Sequence, residues 1–438
     1  MSGRVLVYGL GVSGGAVARH LVAEGTTVVA VDDDGGERPR RLAGELGVEL
    51  VVDPGADELR DLAASVDEIV VSPGVPAHHR LFAVAGETRL VGEVELAGRR
   101  ATAPVVAVTG TNGKTTVTTL VAAMLRASGV KACAAGNIGA PLLDAVASGA
   151  EVVVAEVSSF QLALTETFHP AVAAWLNFSE DHLDWHGDVA AYRAAKARIW
   201  ANCGRGDVVV ANAEDEVVRA CAAGPAGRGA TVVSFGLATG DYRRRGEVLV
   251  GPDGTVIAVV DELPRSRPHD LVDALCAAAT ALGAGADPEG CRAALRGFVG
   301  LPHRVELVGE AKGVAYYDDS KATTPGAVLA ALEGFDSAVL IAGGRNKGLD
   351  LSVLRAAAGR LRGVVAIGEA AGEIVAAFAG ACRVEEAASM GEAVDRAAAL
   401  AEPGDAVVLS PACASFDWYG SYAARGDDFA AAVGRLEP

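Results

Sequence analysis

Residues 109–116, Thr109-Gly110-Thr111-Asn112-Gly113-Lys114-Thr115-Thr116, carry the groups that hold a nucleotide's phosphates. A β-branched run (105–108) precedes them, and an apolar pattern at 3–4 spacing (Val117, Leu120, Val121, Met124, Leu125) follows, which predicts strand, glycine turn and helix. The N–H groups of a first helical turn and the positive end of the helix dipole converge on such a turn and favour an anion. Lys114 adds a mobile cation, and Thr115 a hydroxyl where a phosphate-bound Mg²⁺ takes an oxygen ligand. The phosphate-loop pattern G-x-x-x-x-G-K-[ST] asks for glycine where Val108 stands, whereas its second half, Gly113-Lys114-Thr115, is intact.

Other reactive types fall at predicted strand ends. Asn137 lies in Gly136-Asn137-Ile138-Gly139, the end of a strand stretch at 132–139, Glu156 ends a strand at 151–156, and His182 follows one at 171–176. Ligands sit at the carboxyl ends of parallel strands, so Lys114, Asn137, Glu156 and His182 are expected to face one crevice. A carboxylate suits Mg²⁺ well, a histidine less so. Lys196 lies on a helical pattern whose inner face is Tyr192, Ala195 and Ile199, and by composition it is a solvated lysine. Nearer the start, Gly9-Leu10-Gly11-Val12-Ser13-Gly14 follows a strand at 4–9, and Asp32 ends the next strand, 27–31. This G-x-G-x-x-G unit suits the diphosphate of NAD, FAD or a UDP-sugar, and does not choose among them. Toward the C-terminus, His303-Arg304, Asp319-Ser320-Lys321-Ala322-Thr323, Arg345-Asn346-Lys347 and the segment 409–417 mix cations with small polar groups that suit phosphate or carboxylate.

The elements that must position these groups alternate strand and helix throughout. A helix at 16–23 and strands at 49–52 and 68–72 complete a first unit, 1–100. A second, 101–299, contains the phosphate turn and a hairpin near 240–265. A third, 300–438, has strands at 314–317, 338–342, 363–367 and 406–409. The fold class expected is α/β in three domains: a Rossmann-like N-terminal domain, a central P-loop ATPase-like mostly parallel sheet, and a C-terminal Rossmann-like domain.

A formal net charge of −18 argues against nucleic acid and anionic membrane surfaces as partners. It also makes the isolated cations inside turns informative. No charge-free apolar run approaches the roughly 18 residues a membrane span needs. The opening MSGRVLVYGLG enters a strand without a leader-like stretch, so a cytoplasmic enzyme is expected. Seven cysteines, none in C-x-x-C spacing, fit buried small hydrophobes in a reducing compartment.

Along essentially its whole length the chain resembles the Mur ligase family. The resemblance is carried by Gly110-Thr111-Asn112-Gly113-Lys114-Thr115, Gly136-Asn137-Ile138-Gly139, Ser158-Ser159-Phe160-Gln161-Leu162, Asp319-Ser320-Lys321-Ala322-Thr323 and Ser410-Pro411-Ala412-Cys413-Ala414-Ser415. The first of these explains the absent glycine as a family variant. The resemblance implies that ATP phosphorylates the carboxylate of UDP-N-acetylmuramoyl-L-alanine. The amine of D-glutamate then attacks the acyl phosphate, giving an amide, ADP and phosphate in peptidoglycan precursor synthesis.

The same resemblance assigns residues. Gly110, Thr111, Asn112, Gly113, Lys114, Thr115, Thr116, Asp273, Arg304, Asp319 and Lys321 match ATP-side positions. Ser13, Asp32, Ser72, Asn137, Ser158 and Gln161 match the UDP substrate, and Thr323, Lys347, Ser415 and Tyr422 the D-glutamate pocket. Thr115, Glu156, His182 and Lys196, the last carbamylated by CO₂, match positions around two Mg²⁺ ions, with Lys114, Glu156, His182 and Lys196 as the catalytic set. The implied partners are these small molecules alone, and the protein is expected to be a monomer. Asp270 and Asp273 stand where many relatives have asparagine, and Arg345 and Asn346 where an acid is common; Tyr422 replaces a phenylalanine of some relatives. The alternatives are another amino-acid ligase of this architecture, including one that extends folate with glutamate, an NAD-linked oxidoreductase, and a nucleotide-binding regulator. An oxidoreductase leaves Lys114, Glu156 and His182 without a role, and a regulator needs no metal crevice.

Overall fold

A computed structural model describes residues 3–436. The first sheet is parallel, in the order Glu49–Val52, Thr27–Asp32, Arg4–Tyr8, Glu68–Val71, Arg89–Val91. The chain reverses direction of growth at Arg4–Tyr8, which opens a crevice at the carboxyl ends of the strands there. The helix that follows begins at Val12, four residues before the expected start, because Gly14 and Gly15 are accommodated in its first turns. Gly14 is required: a Cβ there would lie 1.9 Å from the Gly9 carbonyl oxygen.

The second sheet is also parallel, in the order Thr231–Phe235, Val208–Asn212, Val172–Trp175, Val105–Thr109, Val152–Glu156, Ala132–Gly136. Its central strands are buried along their whole length, as the valine runs require of strands covered on both faces. The hairpin expected near 240–265 is the Val248–Val250 and Val256–Val259 pair of a three-stranded antiparallel sheet, turning at Gly254 with φ +84°. The third sheet has the order Glu306–Ala311, Val314–Asp318, Ala406–Ala412, Ala338–Gly343, Leu361–Ile367, Arg383–Ala387, parallel except for its first strand.

Contacts divide the chain into two compact units. One holds the residues up to Phe178, Trp185–Leu263 and Asp273–Gly297, and so the first two large sheets. The other holds Ser179–Asp184, Pro264–Val272 and the chain from Phe298, with the third. Among the described residues no helix is long and apolar enough to cross a membrane.

Within the first unit the helix Glu93–Arg100 ties one sheet to the next. The Gly92 N–H donates to the Leu164 carbonyl at 2.9 Å. Glu95, fully buried, accepts from the backbone N–H groups of Glu166, Thr167 and Phe168 at 2.8–3.0 Å, from the Thr167 hydroxyl and from Arg99. Burial alone would raise its pKa, but the Thr167 hydroxyl and the converging N–H groups outweigh that and hold it below the ordinary carboxylate range. A depressed carboxyl pKa contributes stability above its unfolded value of about 4.3 and loses it as pH falls through the folded value. Glu95→Ala is therefore expected to cost about 3 kcal/mol in urea unfolding at pH 7, a deficit that shrinks below pH 4. A deficit unchanged by acid would contradict the ionised assignment.

Candidate active site

The strand Val105–Thr109 delivers the chain into the phosphate turn, and the helix Lys114–Ala127 leaves it. Gly113 has φ +81°, and a Cβ there would meet Asp273 Oδ1 at 2.5 Å and Leu176 at 2.8 Å, so only glycine fits. The turn is clamped from the neighbouring strand end. Asn177 Oδ1 accepts from the N–H groups of Thr111 and Asn112 at 3.0 and 2.9 Å, and Asn177 Nδ2 donates to the Asn112 carbonyl. Asn177 was not singled out from sequence, although its place directly after a predicted strand was the available signal.

Lys114 Nζ donates to the carbonyls of Gly110 and Thr111, both at 2.9 Å. Lys196 Nζ donates to the same Gly110 carbonyl at 2.6 Å and stands 4.7 Å above the Tyr192 ring. The expectation of a solvated Lys196 is overturned: it is 1% exposed. The helix Val189–Ala197 places residues 192 and 196 on one stripe, and that stripe faces the phosphate turn rather than water.

Glu156 ends a strand that lies between Val105–Thr109 and Ala132–Gly136. Asn137 Nδ2 donates to Glu156 Oε1 at 2.7 Å, and the Asn137 N–H to the Glu156 carbonyl at 2.9 Å. Gly136 permits this approach, since a Cβ there would lie 2.4 Å from that carbonyl oxygen. Glu156 is 2% exposed, and its Oε2 has no hydrogen-bond partner among the described residues. Beyond it Ser158 and Gln161 form a capping box: Gln161 Oε1 accepts from the Ser158 N–H and hydroxyl at 2.9 and 3.1 Å, and Ser158 Oγ accepts from the Gln161 N–H. Lys114, Asn137 and Glu156 thus stand at one end of one sheet, as expected. His182 instead belongs to the segment Ser179–Asp184, whose contacts group with the other unit. It has φ +54°, and its Nε2 lies 3.2 Å from Asp181 Oδ2.

In the first sheet, Asp32 and Ser72 brace the glycine turn. Asp32 Oδ2 accepts from the Leu10 N–H at 2.6 Å, and the Ser72 hydroxyl donates to the Gly9 carbonyl at 2.6 Å. Ser13 lies half-buried at the start of the helix.

In the unit around the third sheet, Asp319 is buried and its carboxyl is pushed up to about 7. Burial is the main cause, opposed by the Ser410 hydroxyl, which donates to Oδ2 at 2.7 Å, and by the charge of Arg304. Lys321 Nζ lies 5.1 Å from the centre of the Tyr422 ring. Lys347 donates to Asp181 at 2.6 Å. Thr323 is half-buried and Ser415 buried. Arg425, missed from sequence, is buried on the helix Tyr422–Val433 and donates to the carbonyls of Ser320 and Cys413, so one guanidinium joins the 319–323 and 410–415 loops. The unusual residues have partners of their own. Asp270 is engaged by Arg265 at 2.8 Å, Arg345 pairs with both oxygens of Glu369, and Asn346 donates to Glu373. Asp273 approaches the phosphate turn at Gly113.

Asn137→Ala removes the side-chain donor from a buried carboxylate. It is expected to cost about 2 kcal/mol in denaturant unfolding in the presence of EDTA. A change below about 0.5 kcal/mol, the size of an ordinary surface substitution, would show that the amide does not hold Glu156.

Three family descriptions match successive parts of the chain: the MurD-like N-terminal domain of Mur ligases at 3–91, the Mur ligase middle domain at 108–268, and the glutamate ligase domain of Mur ligases at 303–413. Proteins named UDP-N-acetylmuramoylalanine–D-glutamate ligase are similar over nearly the full length. The one from Desulfosudis oleivorans is 46% identical, covering 99% of this chain and 96% of its own. That from Frankia casuarinae is 44% identical, covering 98% and 93%. Among solved structures, MurF from Acinetobacter baumannii superposes with a TM-score of 0.62 at 17% identity, over 98% of this chain and 93% of that one. UDP-N-acetylmuramate-alanine ligase MurC from Thermotoga maritima superposes with a TM-score of 0.60 at 20% identity, over 98% of each. The matched descriptions cover most of the chain in family order, and the phosphate turn, the Asn137–Glu156 pair and the capping box occupy the middle one: the chain belongs to the Mur ligase family.

Proposed function

We propose that the protein is an ATP-dependent amide ligase that adds D-glutamate to UDP-N-acetylmuramoyl-L-alanine. Residues 1–100 hold the UDP end, 101–299 the ATP, and 300–438 the amino acid. The observation that carries the chemistry is the pairing of a cationic phosphate turn with a buried carboxylate on the adjacent strand. The full-length similarity to D-glutamate ligases supports the choice of substrates.

A carboxylate resists amine attack until one of its oxygens becomes part of a phosphate leaving group. In-line transfer between two anions needs positive groups already in place. The N–H groups of residues 110–116 cradle the β- and γ-phosphates, and Lys114 exchanges its two loop carbonyls for phosphate oxygens as ATP enters. Asn137, Ser158 and Gln161 orient the muramoyl-alanine end so that its carboxylate meets the γ-phosphate, while Ser13, Asp32 and Ser72 shape the pocket for UDP. Arg304, Asp319 and Lys321 act on the ATP from the third sheet. Thr323, Lys347, Ser415 and Tyr422 receive the amino acid, so that its amine attacks the acyl phosphate and phosphate departs.

Among the described residues the Oε2 of Glu156 is an orphaned buried carboxylate oxygen beside the phosphate turn, which fits a divalent cation. Thr115, Glu156, His182 and Lys196 would hold Mg²⁺ at two sites, and the ions would supply positive charge to neutralise the phosphates. Lys196 fits carbamylation by its place: its amine is buried beside the phosphate turn, and CO₂ would convert it to an anion able to share a cation. The substrates are small and soluble, which accords with a monomeric cytoplasmic protein.

The test supplies UDP-N-acetylmuramoyl-L-alanine and ATP and follows phosphate release with D-glutamate, L-glutamate, L-alanine or diaminopimelate. Release that depends on D-glutamate alone is expected; dependence on another acceptor overturns the assignment. Lys114→Ala should lower turnover at least about a thousandfold in a folded protein, the scale of losing a cation at a transferring phosphoryl group. Lys196→Arg should be inactive, because arginine cannot carry the carbamate, and full activity of that variant would exclude it.

A further inference from the structure

Glu93 has no place in the reaction outlined above, yet it is a carboxylate only 3% exposed at the start of the helix Glu93–Arg100. Its Oε1 accepts from the Leu143 N–H at 2.6 Å, and its Oε2 is buried with no hydrogen-bond partner. Leu143 lies in the helix Leu142–Val146, which starts right after the Asn137 loop. That loop is closed by the Gly136 N–H on the Ala140 carbonyl at 2.9 Å and fixed at its far end by the two bonds between Asn137 and Glu156. The segment 137–143 is therefore pinned at both ends by carboxylates, Glu156 from the second sheet and Glu93 from the helix that joins the sheets.

The surroundings make Glu93 responsive. The helix Leu142–Val146 brings Asp144, and the helix Val12–Ala23 brings His20, which pairs with Asp144 at 2.8 Å. The helix Ser159–Ala163 brings no titratable side chain. On its own helix, Glu95 accepts from the 166–168 turn, Arg99 donates to Glu95 and Glu68, and Arg100 donates to Glu24. The rest of the junction is apolar, with Val17, Leu96, Leu142 and Leu143 in one buried cluster. Burial first, then the Asp144 charge, push the Glu93 carboxyl up to about 7, against the pull of the Leu143 N–H.

We propose that Glu93 is a positioning residue: by holding Leu143 it sets the Asn137 loop against Glu156, and it couples the sheet that receives the UDP end to the sheet that receives ATP. The proposal rests on the ligase reading for its effect on substrate, but the pinning of 137–143 does not depend on it. Because the folded pKa lies above the unfolded one, the folded chain binds the extra proton between about pH 4.3 and 7, and stability is lost as pH rises through that window. Glutamine keeps the acceptor for Leu143 and removes the titration.

Two measurements test it. In the protein without substrates, amide hydrogen exchange over 137–143 should accelerate in Glu93→Ala and return close to wild type in Glu93→Gln. With substrates, Glu93→Ala should raise KM for the UDP substrate about tenfold, the scale of one lost charge-assisted hydrogen bond, with kcat little changed. Glu93→Gln should keep the low KM and gain stability relative to wild type as pH rises from about 5 to 7. Unchanged exchange over 137–143 in folded Glu93→Ala overturns the proposal, as does a Glu93→Gln variant that behaves like Glu93→Ala. If the alanine variant does not fold, Glu93→Asp, one methylene too short to reach Leu143, carries the same test. Altered exchange in a protein that turns over none of the substrates would leave the pinning standing and sink the ligase reading instead.

Discussion

The carbonyl of Gly110 accepts from two ammonium groups, and the site is arranged around that contact. Two ammonium groups that share one neutral oxygen concentrate positive charge at the turn, where an anion is favoured. In a chain of net charge −18 this local reversal of sign has to be built by geometry, with one lysine at the start of the loop's own helix and the other projecting from a separate helix. Rigidity serves the same end. Asn177 uses both ends of its amide to fix the backbone of Thr111 and Asn112, so the N–H groups are already aimed before any phosphate binds.

Local signals made the frame readable. Strand, glycine turn and helix at 105–127 follow from valine runs, a residue at φ +81° and apolar spacing, none of which needs a distant partner. The same holds for the first glycine fingerprint and for the adjacency of Asn137 and Glu156, which follows once the strands are parallel. Composition alone makes Lys196 a solvated lysine, because its helix is rich in alanine and a small-residue face does not reveal which side is covered; only the family resemblance assigns it to the site. His182 was placed with the strand before it, but the short segment around it finds its contacts elsewhere. Asp270 stands where many relatives have asparagine; its carboxylate is engaged by Arg265, a pairing between residues that no helical or strand period connects. The strands Val208–Asn212 and Thr231–Phe235 sit at the outer end of the second sheet, away from the phosphate turn, and carry no group that marks a strand end as a site.

The carboxylates show a second order of organisation. Glu95 is stabilised as an anion by converging N–H groups, whereas Glu93, two residues earlier on the same helix, has one donor and an unpartnered oxygen. Asp319, with one serine hydroxyl and the charge of Arg304 set against its burial, is raised as Glu93 is. Burial raises all three, and only around Glu95 do the donors outweigh it. The number and aim of donors thus separates a carboxylate that locks the fold from those that remain responsive.

The capping box at Ser158 and Gln161 fixes more than a helix start. Because the Gln161 oxygen already receives the Ser158 N–H and hydroxyl, the amide cannot turn over without breaking both bonds. The side chain therefore has only its NH₂ group left to offer, which answers oxygen lone pairs and not N–H or O–H groups. Where the muramoyl-alanine end lies against it as proposed, the helix cap works as a polarity filter before shape is tested.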